Sequence, residues 1–436
     1  MSRYSATSPI FANEEALREE HHPDTLPERQ DEMDALNDSL SPAARGAGAN
    51  NVFIHGKAGQ GKTAAVKAEL SELQYHAEQE SEHLDLTTCY ISCESHDLST
   101  SYKAASRIYQ QLTGADRPTG YSTDVVMDMM FEAMDDIGGT IILVLDEIDA
   151  LGDDDRLLYS LSRARAQGHV GEHVYPSVIG ISNDLQWRDS LSPKVKSSLY
   201  DDSILFSPYN AGELQQILRR RAAKAFRDTT HTTVSAISQG ANPHEVAENN
   251  GAEDADFQSD VLDDGVIELI AAMSAQDKGD ARQAIKYLRK AGEVADREDS
   301  ETVSQLHARE AETVIERETV VEAMRQMTTQ AQLSLAAVTV LEVSGDTPAR
   351  SKVLYQIYQN IADRTDADKL VQRRMKDHLL ELDMQGIVEA EKQAAGSIGG
   401  PAYHFSLQVS TEATIDVLED LDRFEDLDFR SISAQR

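Results

Sequence analysis

Residues 56–63 read GKAGQGKT, a composition suited to a loop that holds a polyphosphate. Its glycines let backbone N–H groups wrap around phosphate oxygens, Lys62 reaches the β- and γ-phosphates, and Thr63 offers a hydroxyl to Mg²⁺. The loop follows the strand-like run NVFI and opens the helical run TAAVKAELSEL, as this chemistry requires. The pattern predicts that ATP is bound by Gly56, Lys57, Ala58, Gly59, Gln60, Gly61, Lys62, Thr63 and Ala64.

Two adjacent carboxylates, Asp146 and Glu147, end the apolar run TIILVL further along the chain. A hydrophobic strand that delivers a carboxylate beside a phosphate loop supplies what a nucleotide-bound Mg²⁺ needs. We therefore expect Asp146 to hold the metal together with Thr63, and Glu147 to polarise the attacking water. The sequence predicts an ATPase that uses ATP and Mg²⁺.

Two further polar side chains are candidates for the same site. Asn183 follows the run SVIGIS, where its amide would orient the hydrolytic water or would simply form a turn in SND. Arg282 lies near the start of the helical run GDARQAIKYL, where it would reach the γ-phosphate or form a surface ion pair. Spacing alone leaves both alternatives open.

The elements that must position these residues alternate between about residues 51 and 207. Short β-branched runs, NVFIHG, LTTCYISC, TIILVLDE and SVIGISN, are separated by longer helical stretches. This alternation is typical of a parallel sheet with crossover helices. Cys89 and Cys93 fall in the second of these strands and are expected to be reduced, buried thiols.

The length and charge of the chain predict its number of domains and the medium in which it works. The 436 residues carry 76 acidic and 41 basic side chains, a formal net charge of −35, and only 14 of the basic residues are lysine. The length predicts two or three domains. Acidic charge along the whole chain favours a halophilic source, because screening in molar salt reaches only about 3 Å; an ordinary acidic cytosolic protein is the alternative. The absence of a signal-like or membrane-spanning run predicts an intracellular, cytoplasmic protein.

A separate module is expected after about residue 336. In DKLVQRRMKDHLLELDMQGI, one apolar stripe is formed by Val371, Met375, Leu379 and Leu382. Residues 364–377 contain five basic and three acidic side chains, a positive excess in a strongly negative chain. Arg373 and Lys376 point away from the stripe, which indicates a recognition helix; a solvated helix face is the alternative.

The run GIVEAEK, the turn-rich AAGSIGGP and the alternating AYHFSLQV follow this helix and predict a hairpin. Helix followed by hairpin is the pattern of a winged helix. The predicted DNA-binding residues are Arg373, Arg374, Lys376 and Lys392.

Long segments outside these motifs resemble the archaeal AAA+ replication initiators, relatives of the eukaryotic origin recognition and cell-division-control ATPases. The resemblance runs from about residue 10 to 417 and is carried by LPERQDEM, LDEIDALGDDDRLLYSLSRA, VIGISNDLQWRDSLSPKVKSSL, FSPYNAGELQQILRRRAAKAF, GDARQAIKYLRKAGEVA, TPARSKVLYQIY and HLLELDMQGIV. It implies an α/β fold with a P-loop AAA+ parallel sheet and helices on both faces, a helical lid and a C-terminal winged-helix domain. The expected divisions are a polar N-terminal extension (1–20), an AAA+ domain (21–208), a lid (209–330) with a polar insertion at about 228–260, a winged helix (331–425) and a tail (426–436).

The resemblance also implies roles for particular residues. Asn183 becomes the sensor-one residue and Arg282 the sensor-two arginine, while residues 26–30 and Tyr209 belong to the nucleotide pocket. Residues 115–126 resemble an initiator-specific insertion that touches DNA. Lys194 stands where relatives often carry an arginine finger, and it keeps the charge but lacks the planar fork. This departure favours a slow, switch-like ATPase.

The expected function is an ATP-dependent initiator that recognises double-stranded origin DNA at the nucleoid, helps to recruit or load the replicative helicase, and self-associates on DNA. No membrane partner is expected. A paralogous DNA-binding regulator or repair factor is the first alternative. A signalling NTPase is the second, although nothing after residue 417 is long enough to form a sensor domain.

Overall fold

A computed structural model of the chain describes residues 8–19, 21, 23, 25–80, 84–184, 186–199, 202–231, 257–393, 402–425 and 427–429. The chain divides into two compact units, residues 1–305 and 306–436. Among the described residues, no helix combines the length and the apolar character that crossing a bilayer requires.

The first unit is built on a parallel sheet with helices between its strands. The strands are β1 (Val52–His55), β2 (Leu86–Ser92), β3 (Gly139–Asp146), β4 (Val174–Ser182) and β5 (Asp202–Leu205), in the spatial order β2-β3-β4-β1-β5. The helices are α1 (Gln30–Leu40), α2 (Lys62–Glu80), α3 (Ser101–Thr113), α4 (Thr123–Ile137), α5 (Arg156–Ser162), α6 (Trp187–Ser190) and α7 (Pro193–Leu199). The predicted parallel sheet is confirmed. The sequence did not single out β5, a short edge strand in which only Ile204 is buried.

Strand β3 shows why both faces of the sheet must be covered. Its Ile141, Leu143 and Leu145 belong to one hydrophobic core, and its Ile142 and Val144 belong to another. Successive side chains of a strand point to opposite faces, so an unbroken apolar run is buried only between two layers of helices. Helices α3, α4 and α5 contribute to the first core, and α1 and α2 to the second. The prediction of helices on both faces is confirmed.

The two cysteines behave as expected. Cys89 and Cys93 are free and buried in the first of these cores. Burial raises the pKa of each thiol to about 12. Both therefore remain protonated and unreactive near neutral pH.

In the described part of the first unit, three helices follow the sheet: α8 (Ala211–Ala225), α9 (Val266–Asp277) and α10 (Ala281–Arg297). A capping box starts α8, in which Asn210 and Glu213 satisfy each other's backbone N–H groups. The carboxylate of Asp280 caps α10 by accepting from the N–H groups of Arg282 and Gln283. These helices occupy the chain segment that we predicted as a lid.

The predicted polar insertion at 228–260 is bounded by a small sheet. Its ends form β6 (Thr229–His231) and β7 (Phe257–Ser259), which pair in antiparallel register. The remainder of the insertion, residues 232–256, lies outside the described residues.

The N-terminal segment differs from the polar extension expected over residues 1–20. Ile10 is fully buried, and the ring of Phe11 packs 5.1 Å from that of Phe226. A Cβ on Gly292 of α10 would lie 2.3 Å from Phe11 Cζ, so the aromatic ring sits directly on that helix. Residues from 8 onward therefore pack on α8 and α10. Two isolated apolar residues in a polar stretch carry no periodic signal, which is why the sequence did not show it.

The second unit is a helical module with a three-stranded sheet. Its elements are α11 (Gln305–Gln326), α12 (Thr329–Val343), β8 (Ala349–Arg350), α13 (Ser351–Arg364), α14 (Gln372–Met384), β9 (Val388–Gln393), β10 (Ala402–Leu407) and α15 (Thr411–Glu419). The sheet is antiparallel in the order β8-β10-β9. The predicted winged helix is confirmed. We expected the module to start at residue 331, but Val320 of α11 already belongs to its core.

The apolar stripe of α14 is shorter than the sequence indicated. Met375, Leu379 and Leu382 are buried, whereas Val371 is 65% exposed. Val371 is the N-cap residue, with φ −74° and ψ 151°, so it lies in extended backbone before the first turn. Helical spacing does not apply to a side chain in that position.

Part of the expected C-terminal tail is also core. Leu427 and Phe429 are buried in the second unit, and the ring of Phe429 meets that of Phe424 edge-on at 5.7 Å. The predicted tail therefore begins after residue 429 at the earliest, and residues 430–436 lie outside the described part of the chain.

Candidate functional site

The carboxyl ends of β1, β3 and β4 meet at one edge of the sheet. Asp146 is paired with Ile181, and His55 with Ser182. Ligands of open parallel sheets bind at this edge. A cleft of about 510 Å³ opens here, and its lining includes Leu26, Glu28, Ala58, Gly59, Gln60, Gly61, Lys62, Thr63, Ala64, Asp146, Glu147, Asn183, Tyr209 and Arg282.

The phosphate loop depends on glycine at two crowded positions. Gly59 and Gly61 have φ values of +73° and +87°. A Cβ on Gly59 would lie 1.6 Å from an Asp280 carboxylate oxygen, and one on Gly61 would lie 2.7 Å from the Tyr209 hydroxyl. Both the backbone conformation and the available space therefore exclude larger residues.

The Lys62 ammonium donates hydrogen bonds to three neutral oxygen atoms. Its ammonium donates to the carbonyls of Gly56 and Lys57 at 2.6 and 2.7 Å, and to Asn183 Oδ1 at 2.9 Å. Burial lowers the pKa of Lys62 to about 8, against the opposing effect of nearby Asp146 and Asp149. A buried cation with neutral acceptors is poised to bind an anion. Gly56 and Lys57 contribute these carbonyls without lining the cleft themselves.

Thr63 and Asp146 lie together, as predicted. The Thr63 hydroxyl donates to Asp146 Oδ2 at 2.8 Å, and the Tyr90 hydroxyl donates to the same oxygen. A carboxylate beside a hydroxyl is a pair of hard oxygen ligands of the kind that Mg²⁺ takes in nucleotide sites. These oxygen ligands fit Mg²⁺. The glycine loop and the Lys62 ammonium, whose hydrogen-bond acceptors are all neutral, fit a polyphosphate.

Glu147 sits at the end of β3 in an unusual backbone conformation. Its φ is +55°, in the left-handed region, where a residue with a side chain costs roughly 1 kcal/mol. Its N–H donates to Asp146 Oδ1 at 3.0 Å, and the Ser92 hydroxyl donates to Glu147 Oε2 at 2.7 Å. The carboxylate is thus held at the cleft, half-buried, by the end of β2.

Asn183 is brought to the phosphate loop from the neighbouring strand. Its side-chain oxygen accepts from Lys62, and its N–H donates to Asp149 Oδ1 at 3.2 Å. Ser182 also donates to Asp149, at 2.8 Å. The structure therefore places Asn183 in the cleft, although the sequence left a plain turn equally open.

Arg282 lines the cleft from the start of α10. Its side chain is 59% exposed, and its Nε lies 3.9 Å from a Glu19 carboxylate oxygen. The nearby Asp280 is half-buried against Gly59, and its partial burial raises the pKa of its carboxyl above the usual value. The N–H of Ala281 donates to the Gly59 carbonyl at 3.1 Å, so α10 begins on the phosphate loop itself. A γ-phosphate role for Arg282 stays a prediction.

Arg29 is a buried arginine beneath the loop. Its Nε donates to the Gln60 carbonyl at 3.1 Å, its other nitrogens reach the Ser207 carbonyl and Glu32, and its guanidinium carbon lies 3.7 Å from the Tyr209 ring centroid. Arg29 thus joins the residues before α1 to the loop and to the chain after β5. The sequence placed residues 26–30 only in the pocket; Leu26 and Glu28 do line it.

Replacing Arg29 with Met should lower the free energy of unfolding of the first unit by about 3 kcal/mol. The substitution leaves two backbone carbonyls and the partly buried Glu32 without their donor. Thermal unfolding followed by circular dichroism measures the loss. Arg45→Met, at an exposed arginine of the same unit, should change stability by less than about 0.5 kcal/mol. Equal melting temperatures for the two variants would contradict this role for Arg29.

A concentration of cationic residues explains how an acidic chain can hold a polyanion. Six further basic side chains line the cleft, on the N-terminal segment, on α8 and on α10: Arg18, Arg220, Arg221, Lys224, Lys286 and Arg289. Arg220 is paired with Glu28, and Arg289 with Glu293 at 3.4 Å. The local field at the cleft is therefore far less negative than the net charge of −35 suggests.

Besides the basic lining, the sequence missed four residues that are hydrogen-bonded to predicted site residues: Tyr90, Ser92, Asp149 and Asp280. Tyr90 and Ser92 lie in a strand whose alternation indicated only packing. Asp149 follows the predicted carboxylates, and Asp280 carries the signal of a helix N-cap, a polar residue directly before a helical run. That signal marks a cap, but it does not show that the cap lies on the phosphate loop.

The predicted DNA-binding residues occupy two elements of the second unit. Arg373 and Arg374 are exposed on α14, and Lys392 is exposed on β9. Lys376 is only half exposed, because its Nζ lies 5.2 Å from the Tyr403 ring centroid on β10. Arg373, Arg374 and Lys392 are thus more accessible than Lys376, and contact with DNA stays a prediction. Residues 394–401, which connect β9 to β10, lie outside the described residues.

Two other predicted interaction segments lie in the first unit. Residues 115–126 lead into α4 and expose Tyr121 and Val125, which are 55% and 41% accessible. Lys194 is exposed on α7 and does not line the cleft of its own chain. DNA contact by residues 115–126 remains a prediction. So does the action of Lys194 on the nucleotide site of a neighbouring subunit.

Three family models match the chain. An AAA ATPase domain matches residues 25–209, a Cdc6 AAA+ ATPase-type lid domain matches 252–313, and a CDC6 C-terminal winged helix domain matches 322–417. These matches confirm the predicted ATPase domain, lid and winged helix.

Similar proteins include two from Haloarcula marismortui. Its ORC1-type DNA replication protein 1 is 35% identical over 428 residues, covering 97% of this chain and 96% of its own length. Its ORC1-type DNA replication protein 11 is 38% identical over 422 residues, covering 96% and 93%. ORC1-type DNA replication protein 10 of Halobacterium salinarum is 36% identical and covers 97% and 94%. These sources are halophilic archaea, as the acidic composition predicted.

Solved structures show the same likeness. The Aeropyrum pernix ORC1 protein, solved in complex with DNA, has a TM-score of 0.74 and 30% identity, covering 97% of this chain and 100% of that one. Cdc6p from Pyrobaculum aerophilum, at 17% identity and a TM-score of 0.54, shows the fold alone.

Proposed function

We propose that this protein, which belongs to the archaeal family of ORC1-type DNA replication proteins, is an initiator that binds ATP and Mg²⁺ and recognises double-stranded origin DNA. The observation that carries the proposal is the combination of an ATPase cleft with a winged helix in a chain that matches, over 97% of its length, an ORC1 protein solved with DNA. The acidic chain would thus hold nucleotide to bias a DNA-binding state, while local basic groups make the contacts.

The residues of the cleft divide the chemistry between them. The loop N–H groups and Lys62 hold the phosphates, and Thr63 with Asp146 holds Mg²⁺, which when bound neutralises phosphate charge in the transition state. Glu147 polarises the attacking water, and Asn183, already bonded to Lys62 at 2.9 Å, orients it. Arg282, at the start of α10 beside the loop, contacts the γ-phosphate. Lys194 offers a neighbouring subunit a charge without a fork, so hydrolysis is slow.

The winged helix supplies the DNA contacts in this proposal. Arg373 and Arg374 lie on the side of α14 away from buried Met375, Leu379 and Leu382, so they are free of the packing that holds the helix. A recognition helix presents such side chains to phosphates or base edges in the major groove. Recruitment of the replicative helicase and self-association on origin DNA complete the proposed role.

The proposed function is tested by footprinting on candidate origin fragments and on scrambled fragments, in molar KCl, with ATP and with ADP. Protection of an origin fragment, dependent on the nucleotide and absent from its scrambled copy, is expected. Equal protection of both fragments, or none of either, would overturn origin recognition. Binding at promoters instead of origins would favour the DNA-binding regulator.

Changing both Arg373 and Arg374 to Ala should weaken DNA binding by about tenfold or more while leaving ATP binding unchanged. If both contact phosphates, the slope of log affinity against log salt should become shallower by about two, equally on every sequence. If they read base edges, discrimination should fall by about 1–3 kcal/mol per contact. Fluorescence anisotropy measures both quantities. The control is Arg423→Ala, at an exposed arginine outside α14 and the hairpin, which should bind DNA like the wild type. Unchanged DNA affinity of the double variant would mean that Arg373 and Arg374 form only a solvated helix face.

A further inference from the structure

The Asp146 carboxylate is held on both of its oxygens. Oδ1 accepts the N–H of Glu147 at 3.0 Å, and Oδ2 accepts two hydroxyls, from Thr63 at 2.8 Å and from Tyr90. Thr63 belongs to the cleft lining, whereas Tyr90 does not. Tyr90 therefore donates to Asp146 from outside the cleft lining.

The sheet register puts Tyr90 in that position. On the paired strands β2 and β3, Tyr90 lies opposite Val144 and Ser92 lies opposite Asp146. Because side chains alternate between faces, Tyr90 shares a face of the sheet with Asp146 as its diagonal neighbour, within reach of a long side chain. A phenol is long enough to span this diagonal, and a shorter hydroxyl residue is not.

The ring of Tyr90 is itself anchored. It packs against the core that contains Val144, and Lys67 Nζ from α2 lies 4.9 Å from its centroid. The anchored ring thus presents its hydroxyl as a donor to Asp146.

We propose that Tyr90 is a positioning residue for the metal: its hydroxyl fixes the orientation in which Asp146 receives Mg²⁺. The inference rests on the proposed use of Mg²⁺ with ATP. The Thr63 hydroxyl would be shared between Asp146 and the metal, whereas the Tyr90 hydroxyl donates to Asp146 from outside the cleft lining. Donors that orient a metal-binding carboxylate in this way contribute 10- to 100-fold to metal affinity.

The test is a Mg²⁺ titration of nucleotide affinity in wild type and Tyr90→Phe, followed with a fluorescent ATP analogue in molar KCl. Phe keeps the ring and removes only the hydroxyl. We expect affinity in EDTA to stay within about threefold of wild type, since the loop and Lys62 are untouched. The Mg²⁺ concentration for half-maximal enhancement should rise by about 10- to 100-fold. Tyr102→Phe, which removes a hydroxyl that donates to the Pro118 carbonyl at 2.9 Å in the same unit, should leave it unchanged.

Two results would overturn the inference. An unchanged Mg²⁺ midpoint in Tyr90→Phe would mean that the hydroxyl does not position Asp146. A loss of nucleotide affinity that is equal with and without Mg²⁺ would mean a general structural role. Wild type without any Mg²⁺ dependence would instead overturn the proposed use of the metal, so the two failures are distinct. If circular dichroism shows that Tyr90→Phe does not fold, Tyr90→Met, whose flexible side chain adapts to the space, is titrated in its place with the same expected shift.

Discussion

Lys62→Ala should lower ATP affinity by about 100-fold or more, roughly 3 kcal/mol, making it one of the two largest effects expected from a single substitution in this protein. The ammonium is buried and bonded to two loop carbonyls and to Asn183, whereas the other basic side chains of the cleft lie on the N-terminal segment, on α8 and on α10. Isothermal titration calorimetry with a non-hydrolysable ATP analogue measures the loss. Lys103→Ala, which removes a surface lysine paired with Asp97, is the matched control. Wild-type affinity in the Lys62 variant would remove the phosphate-loop assignment.

The same lysine provides a check by pH. Since burial lowers the pKa of Lys62 to about 8, the ammonium that binds phosphate is present below that pH and is lost above it. ATP affinity of the wild type should therefore decline as pH rises from 8 to 10, by up to about tenfold per unit. In Lys62→Ala this decline should disappear.

Glu147→Gln should reduce ATP hydrolysis by about 100-fold or more and change ATP affinity by less than about threefold. Gln has the same shape as Glu and can still accept from Ser92, but it cannot take a proton from the attacking water. Single-turnover hydrolysis and equilibrium binding, measured on one preparation, separate the two effects. Glu94→Gln, an exposed glutamate in the turn after β2, should hydrolyse ATP like the wild type. Undiminished turnover in Glu147→Gln would assign the water to another group.

Taken together, the two variants separate binding from chemistry. Lys62→Ala removes nucleotide binding, so any DNA behaviour that depends on nucleotide should be lost with it. Glu147→Gln keeps ATP bound, so it should hold the protein in its ATP-dependent DNA-binding state for longer than wild type. Opposite effects of the two variants on nucleotide-dependent footprints would support the proposed switch.

The nucleotide loop and the carboxylates could be recognised from the sequence because their signals are local. Lys62 and Thr63 lie within one eight-residue run between a strand and a helix, and Asp146 and Glu147 end an apolar strand that is buried on both faces. The winged helix could also be predicted from the sequence, since an apolar helical stripe is followed closely along the chain by a strand of alternating apolar residues. The net charge, which indicates a halophilic source, is likewise obtained from the sequence alone.

Tertiary structure decided which of the remaining polar groups belong to the site. Asn183 is bonded to Lys62 rather than forming only a turn, because β4 lies between β3 and β1 and ends beside the loop. From the sequence, Tyr90 is expected only to pack in a strand; the register of β2 and β3 places it diagonally to Asp146. Arg29 is joined to Gln60 and Ser207 only once the chain before α1 has folded beneath the loop. In each case the partner is distant in sequence, and the order and register of the strands, which no local pattern encodes, bring the two together.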